Sequence, residues 1–318
     1  MKSIFKNKTI IIIVIIIIFL ITFILFRISS PKELKILCIG NSFNQDTMAY
    51  LPPVLNEILP NYKITYGTCY KGSAELIDHV HWFYDEKKYT SFNYWGYDKE
   101  SWRRYSGRSA KTLEQVLEKE DWDIITIQGN SPDVLSNQGV EAMIDDASSL
   151  INLLEENVSY KFDLMWFEWS SRPLENLNDF EMYNLIHTAS IEAVNALNIK
   201  TVIPVGTAIQ EARNLPDFRK IGDSTEGKML YSDNIHLQAG LPSLLATYTT
   251  AAEILKYLGY DPSILEHSSW LPDNNNVVQI NASNGKGGGM THGELRGINA
   301  DNVKTAKQIA ITVAKANN

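Results

Sequence analysis

"KILCIGNSFNQD", residues 35–46, decides how the rest of the chain is read. Ile36 to Ile39 form an unbroken apolar run, the mark of a strand buried on both faces. The run stops at Gly40-Asn41-Ser42, and a polar stretch follows. A glycine, an amide and a hydroxyl at the end of a buried strand describe either an ordinary strand-to-helix turn or a strand that presents a serine for chemistry.

Working outward, strand-like and helical runs alternate. "MAYLPPVLNEIL" (48–59) reads as a helix broken at Pro52-Pro53, because proline is disfavoured inside a helix. "YKITYGTC" (62–69) is a second strand, with β-branched and aromatic residues alternating. Helix "AELIDHVHWFYDE" (74–86) follows, and "TLEQVLEKEDWDIITIQGN" (112–130) supplies a helix and a third strand. "ASSLINLLEEN" (147–157) leads to strand "FDLMWFEW" (162–169), and "MYNLIHTASIEAVNALN" (182–198) to strand "KTVIPVG" (200–206). Two helices, "GLPSLLATYTTAAEILKYLG" (240–259) and "ADNVKTAKQIAITVAKA" (300–316), close the chain. This order predicts an α/β fold, a three-layer α/β/α sandwich around a mostly parallel sheet, in one domain over residues 31–318. Such sheets hold their sites at the carboxyl ends of the strands. Ser42, Gly72 and Gln128 to Asn130 all fall there.

Two stretches break the alternation. Residues 82–107, "WFYDEKKYTSFNYWGYDKESWRRYSG", are dense in aromatics and charge and read as an insertion, either a lid or substrate platform suited to sugar rings or a surface excursion. Residues 268–300 contain "NNN" and "NGKGGG" and read as an irregular loop.

The first residues are of another kind. Residues 10–26, "IIIIVIIIIFLITFILF", are apolar except for Thr22. As a helix they span roughly 25 Å, close to a bilayer core once the flanks are added. Lys2, Lys6 and Lys8 precede them, and no small-x-small cleavage pattern follows. The segment 1–30 is therefore expected to be an uncleaved transmembrane signal anchor, amino terminus in the cytoplasm and the rest outside; a cleaved signal peptide and a secreted protein are the alternative. Beyond residue 32 the chain carries a formal charge of −13. A nucleic-acid partner is not expected on so acidic a surface. Cys38 and Cys69 form no C-x-x-C pattern and read as buried thiols rather than a metal or redox motif.

A serine needs a base within reach, a group to orient that base, and donors for the oxyanion. Among six histidines, His236 stands in "YSDNIHLQAG" (231–240), three residues after Asp233. That spacing lets a carboxylate hold one ring nitrogen and leave the other for Ser42. On its own D-x-x-H is common, and a capping Asp233 beside a surface histidine is the plainer reading.

Taken together, the strand-end Gly40-Asn41-Ser42 and the later Asp233-x-x-His236 resemble the SGNH (GDSL-type) serine hydrolase superfamily, in a bacterial subgroup whose first block reads G-N-S-F. The resemblance covers roughly residues 34–260. It implies Ser42 as nucleophile, His236 as base and Asp233 as its orienting acid. It also implies an oxyanion hole from the Ser42 and Gly72 N–H groups and one side-chain amide. For the amide, Asn130 and Gln128 are rivals, because "QGNSPD" (128–133) departs from the usual G-x-N-D block. Gly67 is the other glycine near the second strand; Gly72 is preferred because a helix begins just after it.

The implied reaction is ester hydrolysis with no cofactor and no metal. His79-Val80-His81 lacks a well-spaced third ligand. Asn41, Glu168 and Trp169 are candidate substrate contacts, and Arg213 reaches either substrate or the acidic surface. The substrate is expected to be an acylated glycan, with O-acetyl groups the first choice, or another small ester. A glycan-binding protein without activity and a lipid or thioester hydrolase are the alternatives.

Overall fold

The computed structural model describes residues 31–98, 101–218, 230–232, 235–272, 292–296 and 298–317. The apolar segment 10–26 lies outside these residues. Among the described residues no helix is long and apolar enough to cross a membrane.

Strand β1 (Lys32–Gly40) runs through the centre, and Ile36 to Ile39 are fully buried. Each such side chain contributes about 1.5–3 kcal/mol of burial. Parallel neighbours flank it: β2 (Tyr62–Tyr70) on one side and β5 (Ile124–Ile127) on the other, with β6 (Asp163–Glu168) and β7 (Thr201–Pro204) beyond. Strands β3 (Ser91–Gly96) and β4 (Ser101–Ser106) add to β2 in antiparallel fashion. The order is β4-β3-β2-β1-β5-β6-β7. From β1 the chain builds first towards β2 and later towards β5, so the strand order reverses beside β1, where open α/β sheets form their crevice.

Nine α-helices are described: α1 (Ser42–Met48), α2 (Leu51–Ile58), α3 (Leu76–Tyr84), α4 (Leu113–Leu117), α5 (Asn137–Asn157), α6 (Asp179–Leu197), α7 (Val205–Ala212), α8 (Leu241–Tyr257) and α9 (Ala300–Ala316). Helices α1, α2 and α9 gather around α8 on one face, while α3, α5 and α6 pack in sequence on the other. Helix α7 meets both α6 and α8 beside β6. The proline pair opens α2 rather than breaking its interior, so the expected kinked helix is two helices joined at Ala49-Tyr50.

The aromatic stretch 82–107 is not a lid. Residues 91–106 form a hairpin that extends the sheet, with Phe92 fully buried and stacked on Tyr105. Alternating aromatics made a strand signal that the density of charge obscured. The loop expected over 268–300 is also corrected in part. Glu57 accepts hydrogen bonds from Ser268, Ser269 and Trp270, fixing its start, and β9 (His292–Arg296) pairs with the short β8 (Gln238–Gly240). Against the cost of burial, those donors hold the Glu57 carboxyl down at about 2. Residues 273–291 lie outside the described residues.

Both cysteines are free and buried. Cys38 pairs in register with Thr68, and Cys69 with Ile39, so the two thiols point to opposite faces of the sheet. Burial pushes the Cys38 thiol up to about 12.

Candidate active site

Strand β1 ends at Gly40, Asn41 caps the next helix, and Ser42 is its first residue, half-buried. Gly40 is a glycine for a spatial reason. A Cβ there would lie 2.2 Å from Asn44 Nδ2 and 3.0 Å from Gln128 Oε1. Its absence lets the β5 amide cross the end of β1.

Asn41 is the hub. Its Oδ1 accepts the Phe43 N–H at 3.1 Å and a Gln128 amide hydrogen at 2.9 Å, and its Nδ2 donates to the Ala74 carbonyl at 3.2 Å. One buried side chain thus ties the nucleophile's helix, the β2–α3 turn and the end of β5. The expected role of Asn41 as a substrate contact is revised: it is only 2% exposed and both ends of its amide are occupied.

The rival oxyanion donors now differ. Gln128 is buried, and its Nε2 donates to both Asn41 Oδ1 and the Gly129 carbonyl, so neither amide hydrogen remains for substrate. Asn130 is half-buried; its Oδ1 caps the Ser131 N–H at 3.0 Å in the 3-10 turn Ser131–Leu135. That bond leaves the Asn130 Nδ2 end as the amide donor at this strand end. Asp133 accepts the Asn130 N–H at 2.9 Å. Burial, reinforced by Glu75 and Asp146 and opposed by that bond, raises the Asp133 carboxyl to about 6.

Gly72 sits exposed in the turn after β2, two residues before the Ala74 carbonyl that Asn41 holds. Gly67 has another explanation. It lies mid-strand, where a Cβ would meet Trp122 at 2.8 Å and Phe92 at 3.0 Å.

His236 arrives from the far end of the chain. Its ring lies 6.5 Å from that of Phe43, the residue after Ser42. The Ser232 N–H donates to the His236 carbonyl at 2.9 Å, and Tyr231 bridges to Leu237, closing a tight turn. Asp233, the expected orienting acid, lies outside the described residues. Arg213 anchors the turn from beneath. Its Nη2 donates to Tyr231 Oη at 3.1 Å and to Ser171 Oγ at 3.0 Å, while Nη1 meets Asp179 at 2.9 Å. Tyr231 Oη donates in turn to the Ser171 carbonyl. Of the two readings for Arg213, the structure shows the pairing with an acid.

Glu168 and Trp169 do not line this site. Trp169 is fully buried, with its indole N–H on Ser131 Oγ at 3.0 Å. Glu168 is fully buried against His187 and Thr207. A strand-end position marks the right edge of the sheet but does not say which way a side chain turns. His79 is buried, bonded to Tyr89 Oη at 2.9 Å and pulled down to about 4 by burial; on helix α3 it does not share a face with His81. The hub role of Asn41 and the Arg213–Tyr231–Ser171 cluster escaped the sequence reading. The only local signal was the glycine directly before Asn41.

The family described as a domain of unknown function, DUF4886, matches residues 35–256. The chain belongs to the DUF4886 family. A solved DUF4886 protein from Bacteroides uniformis is 23% identical with a TM-score of 0.66, over 89% of this chain and 95% of that one. It shares the fold. More distant structures include an acetylxylan esterase from Geobacillus stearothermophilus (11% identity, TM-score 0.45, 74% of this chain and 98% of that one). Another acetyl xylan esterase is 13% identical, TM-score 0.42, over 71% and 100% of the two chains. Likeness at that level does not bear on what this DUF4886 chain does. No curated protein matches it.

Proposed function

We propose that this DUF4886 protein is a serine ester hydrolase. The observation that carries the reading is the approach of His236 to the helix that Ser42 opens, 6.5 Å between the His236 and Phe43 rings, from positions almost two hundred residues apart. In the proposed reaction Ser42 Oγ attacks the ester carbonyl and its proton passes to His236. The tetrahedral oxyanion is held by backbone N–H groups of Ser42 and Gly72 and by Asn130 Nδ2. Collapse expels the alcohol, which takes the proton from His236. Water, deprotonated by His236, then releases the acid and restores Ser42. Asp233 orients the histidine in this scheme.

The substrate in this reading is an O-acylated carbohydrate, acetyl first. Support comes from the strand register. Gly40, Tyr70, Ser91 and Ser106 are neighbours across β1, β2, β3 and β4, so the hairpin prolongs the edge on which Ser42 stands. Tyr70 and Ser106 are half-exposed there, a hydroxyl-bearing rim suited to a polar ligand. The apolar run at 10–26 supports a membrane tether with the hydrolase outside the cytoplasm.

The test is hydrolysis of p-nitrophenyl acetate and butyrate by wild type, Ser42→Ala and His236→Ala, followed by release of acetate from acetylated glycans. Activity confined to the wild type is expected. Undiminished hydrolysis by Ser42→Ala would sink the assignment.

A further inference from the structure

At the β7 edge of the sheet, three strands and about 14 Å across from β1, a cavity of about 520 Å³ opens between α6, β7, α7 and α9. Its size falls within the usual range for small-molecule pockets. Ile191, Val202, Ile309 and Val313 form its aliphatic wall, with Thr305, Gln308, Thr312 and the exposed Glu211 also lining it.

One polar device stands at its base. Glu168, fully buried, accepts from His187 Nδ1 at 2.7 Å on one oxygen. Its other oxygen takes the Thr207 N–H at 2.6 Å and the Thr207 hydroxyl at 2.7 Å. Tyr183 stacks on His187, ring centroids 5.5 Å apart, and bonds Thr207 Oγ1 at 3.1 Å. The imidazole is thus fixed in place and orientation. With Nδ1 committed, Nε2 is its remaining polar atom, and His187 lines the cavity. Glu168 is the buried member of the pair, and the imidazole is half-exposed on the cavity side. The hydrogen bond to Glu168, working against burial, raises the affinity of His187 for its proton.

We propose that this cavity is a binding site for an aliphatic carboxylate, separate from the Ser42 site. The ligand's carboxylate accepts a charge-assisted hydrogen bond from His187 Nε2–H, and its chain lies along Ile191, Ile309 and Val313. Glu168 compensates the imidazolium from behind, so that one half-exposed cation serves two carboxylates. Among the described residues no Phe, Tyr or Trp lines the cavity, which favours an alkyl chain over a sugar or a planar ring. The site does not depend on the esterase reading.

Hexanoate is the probe, titrated into the full chain in lipid nanodiscs with empty discs as blank, and followed by saturation-transfer NMR. Saturable binding is expected, at least tenfold weaker in His187→Gln. Ile309→Trp fills the cavity without touching the Glu168–His187 pair, and the same loss is expected, so the result stands even if His187→Gln folds poorly. Hexylamine is expected to bind at least tenfold more weakly than hexanoate. Ser42→Ala is expected to bind hexanoate as wild type does. No saturable binding, wild-type affinity in both cavity variants, or preference for hexylamine overturns the proposal. Loss of binding in Ser42→Ala would place the acid in the other site and overturn it as well.

Discussion

Gln128 donates to Asn41 Oδ1 at 2.9 Å, and the same oxygen caps the helix that begins at Ser42. Position at the nucleophile is therefore set partly by the end of β5, the strand beside β1. Asn41→Ala removes the cap, about 0.5–2 kcal/mol, and leaves the Gln128 amide short of an acceptor. A total loss of about 2–3 kcal/mol is expected. Because the two residues share one bond, the Asn41→Ala/Gln128→Ala double variant should lose about 1 kcal/mol less than the sum. Urea denaturation of the four proteins checks this; strict additivity would contradict the shared bond.

Asn130 and Gln128 should separate kinetically. Asn130→Ala removes the proposed oxyanion donor, and kcat is expected to fall about 10²–10³-fold with KM little changed. Its lost cap at the Ser131 turn costs about 1 kcal/mol. Gln128→Ala should act mainly on stability. Steady-state kinetics on p-nitrophenyl acetate beside melting curves decides between them; a kcat effect confined to Gln128 would reverse the assignment.

Asp133 gives a pH signature. Its carboxyl is raised from 3.8 to about 6 in the fold. Between those values the native chain holds the proton more tightly than the unfolded chain. This group's contribution to stability is therefore full below about pH 4, falls as pH rises, and levels off above about 6. Asp133→Asn keeps an acceptor for the Asn130 N–H and cannot ionise. Above pH 6 the variant should be more stable than wild type, on the order of 1–2 kcal/mol. Below pH 4 the gap should close. Denaturation midpoints from pH 3.5 to 8 measure it.

Arg213 holds the His236 turn through Tyr231 and Ser171. Lysine keeps the charge but lacks the planar fork that reaches Asp179, Ser171 and Tyr231 together. Arg213→Lys is expected to lower kcat at least tenfold while the protein stays folded at 25 °C. Unchanged kcat in a folded Arg213→Lys protein would show that the turn keeps its place without the cluster.

The two thiols should be silent until the fold opens. Cys38 and Cys69 lie on opposite faces, and burial suppresses the Cys38 thiolate. Ellman's reagent should titrate none in the native state and two in 6 M guanidinium, without reductant. Zero thiols after denaturation, rising to two on reduction, would mean a bridge this sheet does not allow.

The parallel half of the sheet was legible because β1, β5 and β6 are apolar runs bounded by helices of clear period. Strands β3 and β4 were not, since aromatic alternation was interleaved with Asp, Lys, Glu and Arg and read as surface. The four-residue β7 gave too short a run to show where strand ends and α7 begins. In the candidate site, residue types at the strand ends singled out Ser42, Gly72 and the rivals Gln128 and Asn130 as candidates. The direction of each side chain was not legible. Glu168 and Trp169 share a strand end with the site, yet one turns to α6 and α7 and the other into the core beside Ser131. Gly40 shows why local pattern stops short: its need for space is imposed by Asn44 and Gln128, and the latter is 88 residues away.

Strand β1 has nine residues, from Lys32 to Gly40, and Ser42 stands just past its far end. At about 3.3 Å per residue that is a strut of roughly 30 Å. If the preceding segment tethers the protein as proposed, the parallel sheet acts as a standoff. The start of β1 then faces the bilayer side, and the serine edge looks away from it. The distance from the start of the sheet to Ser42 is then set by strand length. Lengthening the tether would move the zone of action outward without altering the geometry at Ser42.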